Sequence, residues 1–186
     1  MSAVSRILAI ETSGPQGSVA LLDSRELRGE FVLEGGSRHE AGLGPACRRL
    51  LDGCGWTARD LDAVAVGLGP GSFTGTRIGV TFAKTLAFAL DLGIVGLPGL
   101  LALAVDGAGD ADCVAVMQRA HPSRVYGAAY QLGSAFPTAL REVELWAPED
   151  LLSGLPPGTP VVGSAVAAHR DLVDTLGLRL GSEELP

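Results

Sequence analysis

The sequence predicts a mixed α/β protein, and three observations carry that prediction. Apolar stretches at residues 7–10, 18–22 and 27–33, joined by short polar turns, read as a three-strand meander. Beyond it, apolar runs with helical spacing alternate with short strand-like runs, the pattern of layered α/β folds. Between an apolar run at 61–66 and a helix-like stretch at 76–90, five glycines and a proline fall within residues 67–79. Glycine weakens helices and strands unless a backbone needs positive φ or close approach, so this cluster marks a shaped junction.

Each element follows in order. Glu11 to Gly17 form the turn of the first hairpin, and residues 18–22 return from it. Residues 39–54 place apolar side chains at 43, 46, 47, 50, 51 and 54, a helical period, with Gly55 as the C-terminal stop. Residues 57–60 read as a short capped turn, and 61–66 as a buried fourth strand. After the second helix come a strand at 93–97, a helix at 100–106 and a glycine- and aspartate-rich linker at 107–112. The linker divides the chain into lobes 1–106 and 107–186. In the second lobe, 113–117 and 125–132 form a hairpin around 119–123. A strand at 142–146, a short helix at 148–152, an apolar pair at 161–162 and an amphipathic helix at 166–176 complete it.

Composition narrows the function. Of the 186 residues 47% are hydrophobic and 19% charged, enough for a core and too few charges for disorder. Aromatics are 5%, so the core is built from Ala, Val and Leu. The net charge of −7, the scattered arginines and a single lysine, Lys84, argue against a chain that grips nucleic acid by itself. Three cysteines, Cys47, Cys54 and Cys113, lack metal-motif spacing. Cys47 and Cys54 lie on one helical face and read as small buried hydrophobes. Glu11 interrupts any N-terminal apolar signal region, and the low-charge run 92–105 is too short and too rich in glycine to cross a bilayer. A cytoplasmic chain with no membrane association is expected.

On the second helix Gly75, Gly79, Ala83 and Ala87 form one ridge of small side chains, flanked by Ile78, Phe82, Leu86 and Leu90. The ridge packs either on the chain's own sheet or first helix, or on a partner. The opposite side carries Arg77, Thr81, Lys84 and Phe88, and an aromatic on a polar face favours an interface. Amides at the helix start can bind an anion or be capped by Ser72 or Thr74. Glu11, Thr12 and Ser13 at a strand end can hold a phosphate and hydrated magnesium, or form a turn in which Thr12 or Ser13 caps backbone amides. The glycine segment is no Walker A loop, because no Lys-Ser/Thr follows Gly75. Thr74 stands where a G-x-G-x-x-G motif needs its last glycine. Ser72 is not in a G-x-S-x-G elbow. His39, His121 and His169 are too dispersed for a helical ligand pair.

Gly69-Pro70-Gly71-Ser72-Phe73-Thr74-Gly75, followed by Arg77-Ile78-Gly79, resembles the signature of the TsaB (YeaZ) family. Residues 6–13 and 17–22 are similar to that family's opening hairpin, and His39, Leu43, Val125, Tyr126 and Tyr130 add weaker matches. The resemblance implies a two-lobed actin/Hsp70/sugar-kinase-like (ASKHA) fold, here with a shortened second lobe. It also implies a non-catalytic scaffold that pairs with a TsaD subunit through its first two helices during threonylcarbamoylation of tRNA adenosine 37. The docking surface expected from it comprises His39, Leu43, Gly71, Gly75, Arg77, Ile78, Gly79, Phe82, Ala83 and Phe88. No cofactor is expected on this chain. ATP and metal belong to TsaD and a TsaE-like ATPase, tRNA is engaged indirectly, and a homodimer forms without TsaD. TsaD carries a His-x-x-x-His pair, whereas residues 96–101 here hold only apolar side chains, Gly and Pro, which marks the silent partner. The alternatives are a small ATP-dependent kinase of the same fold, using Glu11 and the glycine loop, or a structural homodimer with no tRNA role.

Overall fold

The structure, a computed structural model, describes residues 6–33, 39–133 and 136–181. It forms two compact units, residues 1–99 and 100–186, so the division falls seven residues before the expected 106/107 boundary. The helix Gly99–Gly107 joins the second unit because Leu100 and Ala104 are buried in that unit's core.

The first unit opens with the meander β1 (Arg6–Glu11), β2 (Gly17–Asp23) and β3 (Glu26–Leu33), followed by α1 (His39–Cys54). Then come β4 (Ala63–Gly67), α2 (Phe73–Leu90) and β5 (Gly93–Leu97). The sheet order is β3-β2-β1-β4-β5, with β1 antiparallel to β2 and parallel to β4. Alternation puts Leu8, Ile10, Val19, Leu21, Val64 and Val66 on one face, where Leu43, Ala46, Cys47 and Leu51 of α1 and Ala83 of α2 close the core. Burying each large side chain contributes roughly 1.5–3 kcal/mol. Helix α1 runs through Pro45, which removes one internal hydrogen bond. It stops where Gly55 takes φ +68°, with the Trp56 amide donating to the Leu51 carbonyl at 2.9 Å. The turn at residues 57–60 is pinned by Asp60, whose carboxylate accepts from the Thr57 amide at 2.7 Å and its hydroxyl at 2.8 Å. These bonds hold the Asp60 carboxyl below the usual carboxylate value, the backbone bond first.

The second unit begins with α3 (Gly99–Gly107) and continues with β6 (Cys113–His121), β7 (Arg124–Gln131), β8 (Thr138–Trp146), α4 (Pro148–Leu152), β9 (Pro160–Val162), α5 (Arg170–Thr175) and β10 (Arg179–Leu180). The hairpin and β8 are longer than the sequence indicates. The amphipathic stretch at 166–176 is a tight turn, Val166–His169, followed by the short α5. Its sheet order, β10-β9-β6-β7-β8, repeats the first with the same parallel and antiparallel pairings. Helices α4 and α5 cover one face through Leu151, Leu152 and Val173, while α3 covers the other through Leu100 and Ala104, joined by Ala108 from the turn after it. No helix among the described residues is long and apolar enough to cross a membrane.

Candidate functional site

The glycine junction is filled by the chain's own first hairpin loop. At the end of β1 the Glu11 carboxylate folds back and accepts from the Ser13 amide at 2.5 Å, its other oxygen lying against Gly67. Thr12 is 1% exposed, and its hydroxyl donates to the Gly75 carbonyl at 2.8 Å. The Ser13 carbonyl accepts from the Ser72 amide at 2.7 Å. A Cβ at Gly71 would lie 2.2 Å from the Ser13 carbonyl oxygen, one at Gly75 2.0 Å from that of Thr12, and one at Gly79 2.3 Å from the Thr12 hydroxyl. The spacing of four between these glycines therefore lays the loop along the first turns of α2. Ser72 caps the helix, its hydroxyl accepting from the Gly75 amide at 3.1 Å, and α2 starts three residues earlier than the sequence period suggests.

This geometry places the expected site residues. Gly75, Gly79 and Ala83 are buried against the unit's own loop and sheet, and Leu43 is 1% exposed in the core. The ridge of small residues serves the internal packing alternative. Gly71 sits under the Ser13 carbonyl at the junction. The Thr12 hydroxyl, expected as a phosphate contact, is buried and donated into α2; Ser13 is buried beside it, and Glu11 spends one oxygen on the loop. Thr12 does not cap an amide: it donates to a carbonyl, and Glu11 takes the amide.

What remains open is the outer side of α1 and α2. Between the two helices lies an apolar groove of about 700 Å³, walled by Leu8, Pro45, Leu51, Trp56, Phe82 and Leu86, with Arg48 and Asp52 at its rim. Of the expected residues, Phe82 lines it and Ile78 is half-buried against the core. Phe88 is 91% exposed and Arg77 is exposed, its guanidinium 5.4 Å above the Phe73 ring. The backbone of His39 opens α1, but its side chain lies outside the described residues. Sequence reasoning missed Phe73, which is 75% exposed, and the groove walls Pro45 and Trp56. Phe73 had a legible signal: Arg77 follows it one turn later, so its helical neighbour is not a core residue.

Cys47, on the groove wall, has its thiol pushed up to about 11 by burial, with its own backbone hydrogen bond opposing, so it stays a neutral hydrophobe at neutral pH. In the second unit burial pushes the Tyr130 phenol up to about 12, with Glu142 adding to the shift, and its hydroxyl has no partner among the described residues. Nothing in the structure explains that orphaned hydroxyl. Among the described residues no three His, Cys, Asp or Glu side chains gather closely enough to hold a metal ion.

Comparison with known proteins agrees with this architecture. The family model described as TsaD, tRNA N6-adenosine threonylcarbamoyltransferase, matches residues 34–173. The tRNA threonylcarbamoyladenosine biosynthesis protein TsaB of Bacillus subtilis (strain 168) is 38% identical over 125 residues, 67% of this chain and 55% of the relative. TsaB of Escherichia coli (strain K12) is 37% identical over 99 residues, 53% of this chain and 42% of that one. The chain thus aligns with about half the length of these curated relatives. The solved structure of YeaZ from Pseudomonas aeruginosa superposes with a TM-score of 0.79 at 27% identity, covering 97% of this chain and 84% of that one. The duplicated, two-sheet architecture is the actin/sugar-kinase-like fold. With the junction, the paired helices and these similarities in agreement, the chain belongs to the TsaB (YeaZ) family, within the wider group that the TsaD model describes.

Proposed function

We propose that this chain acts in the biosynthesis of threonylcarbamoyladenosine in tRNA as a non-catalytic scaffold, docking a TsaD-type subunit through the outer faces of α1 and α2. The observation that carries this reading is an apolar groove left open between those helices while the core beneath them is closed. Exposed Phe73 and Phe88 lie on the outer side of the same helix that walls the groove, and exposed aromatic side chains of this kind suit a partner. Arg48, Arg49, Arg77 and Lys84 are exposed on these two helices although the chain as a whole is acidic, which favours a partner surface with an acidic rim. The reacting groups, ATP and metal belong to the TsaD-type subunit and a TsaE-like ATPase, and tRNA is held by the assembly. Alone, the same face pairs two copies of this chain.

The test is co-purification with the TsaD-type subunit of the same organism, using wild type and Phe88→Asp. A side chain 91% exposed contributes little to folding, so the variant keeps its thermal midpoint while capture falls by about tenfold or more. Retained capture would remove the outer face of α2 around Phe88 from the interface. Calorimetry with Mg-ATP on the isolated chain is expected to be silent, and tight binding with turnover would favour the kinase alternative.

A further inference from the structure

We propose that Thr12 is a positioning residue: its buried hydroxyl fixes where α2 sits along β1, and thereby how the outer face of α2 is presented. The inference rests, for its consequence, on the docking role proposed above, but its structural half stands on the geometry of the first unit. Thr12 leaves β1 at the point where the sheet ends and the loop begins. It is 1% exposed, and its Oγ1 donates to the Gly75 carbonyl at 2.8 Å. That carbonyl already sits in the helix ladder of α2, so the hydroxyl adds a bond running across from sheet to helix.

Direction makes this bond a register device. A buried hydroxyl without an acceptor is costly, and α2 offers one at this height because residues 75 and 79 are glycine. Sliding α2 by one residue along its axis would replace Gly75 or Gly79 with Thr74, Thr76, Ile78 or Val80 against the Thr12 backbone and hydroxyl, where even a Cβ has no room. The Ser72 amide bonding to the Ser13 carbonyl repeats the attachment one turn earlier. The glycine gaps exclude neighbouring registers sterically, and the hydroxyl-to-carbonyl bond adds a directional contact that holds the remaining one. Phe73, Arg77 and Phe88 have few contacts of their own to hold them in place, so their position is inherited from the helix that Thr12 anchors.

The experiment uses the full chain with Thr12→Val, Thr12→Ala and Thr12→Ser. Valine keeps the bulk and alanine avoids pressing a methyl group on the carbonyl, while serine keeps the hydroxyl. Amide hydrogen exchange is followed residue by residue, and affinity for the TsaD-type subunit is measured in parallel. Removing the hydroxyl in the Val and Ala variants is expected to speed exchange of amides 76–82 about tenfold, with the second unit unchanged and Ser within about twofold of wild type. Partner affinity should fall by a similar factor of about ten in Val and Ala and be restored by Ser. Unaltered exchange in both Val and Ala, or a Ser variant as loose as Ala, overturns the assignment. A loosened helix that still binds the partner at wild-type strength overturns its link to docking. If wild type binds no TsaD-type subunit, the scaffold reading fails while the exchange arm still decides the role of Thr12.

Discussion

Gly75 and Gly53 are both helical glycines and behave oppositely when given a methyl group. At Gly75 the new Cβ would meet the Thr12 carbonyl oxygen at 2.0 Å, a backbone atom that cannot step aside, whereas nothing lies within 4 Å of a Cβ at Gly53. Gly75→Ala should therefore cost roughly 1–3 kcal/mol through overpacking. Gly53→Ala should stabilise by about 0.5–1 kcal/mol through helix propensity. Urea unfolding of the two variants checks both signs. Cys47 gives a prediction in pH. Burial raises its folded value from 9.0 to about 11, so its contribution to stability is full below about pH 9 and is lost as pH rises through 11. The thiol of the unfolded chain ionises first, and deprotonation then favours unfolding. Wild type should lose stability between those values relative to Cys47→Ala, whose curve lacks that slope. Two parallel curves would show that the thiol is not shielded.

Among elements, α2 shows how one helix serves two surfaces. Its inner ridge is closed by the first hairpin loop and β1, and its outer side carries Phe73, Arg77 and Phe88 into solvent. The helical period predicts the ridge, and no period says which of two available neighbours will cover it. Strand β5 presents a different case. It is an edge strand, all five residues are exposed, and Ile94, Val95 and Leu97 are its apolar side chains. An uncharged edge of this kind is a template for association with another chain. Val95→Lys should change unfolding stability by less than about 0.5 kcal/mol while lowering light scattering in concentrated solution. Undiminished scattering would show that this edge is not the sticky element.

At the scale of the whole molecule, the same strand order occurs twice, and each unit has its own core. The first unit's cluster contains Leu8, Leu21 and Val64; the second unit's clusters contain Met117, Leu151 and Val161, or Leu100, Val114 and Val162. Leu21→Ala and Leu151→Ala remove side chains with no exposure and should each cost about 2–5 kcal/mol. Because the cores are distinct, hydrogen exchange should rise mainly in the unit that carries the change. Equal loosening of both units by either variant would show one cooperative core instead. The repeat also exposes a difference. The row Val116, Ala128 and Val162 in the second sheet is fully buried, with Val162 tight against Gly107 of α3. The equivalent row Ala9, Ala20 and Ala65 in the first sheet is only half-buried.

The sequence by itself determined the meander, the helix at 39–54, the presence of a fourth strand, the glycine junction and the family, because alternation, helical period and glycine spacing are local signals carried by contiguous residues. Phe88 on a polar face was legible for the same reason. Only the tertiary structure decided that Gly71, Gly75 and Gly79 receive residues 12 and 13, some sixty positions earlier in the chain. It also decided that Leu43, Gly75, Gly79 and Ala83 are interior, and that the open surface is a groove walled by Pro45, Trp56, Phe82 and Leu86. Close approach is a property of two backbones, and a sequence pattern reports only one of them.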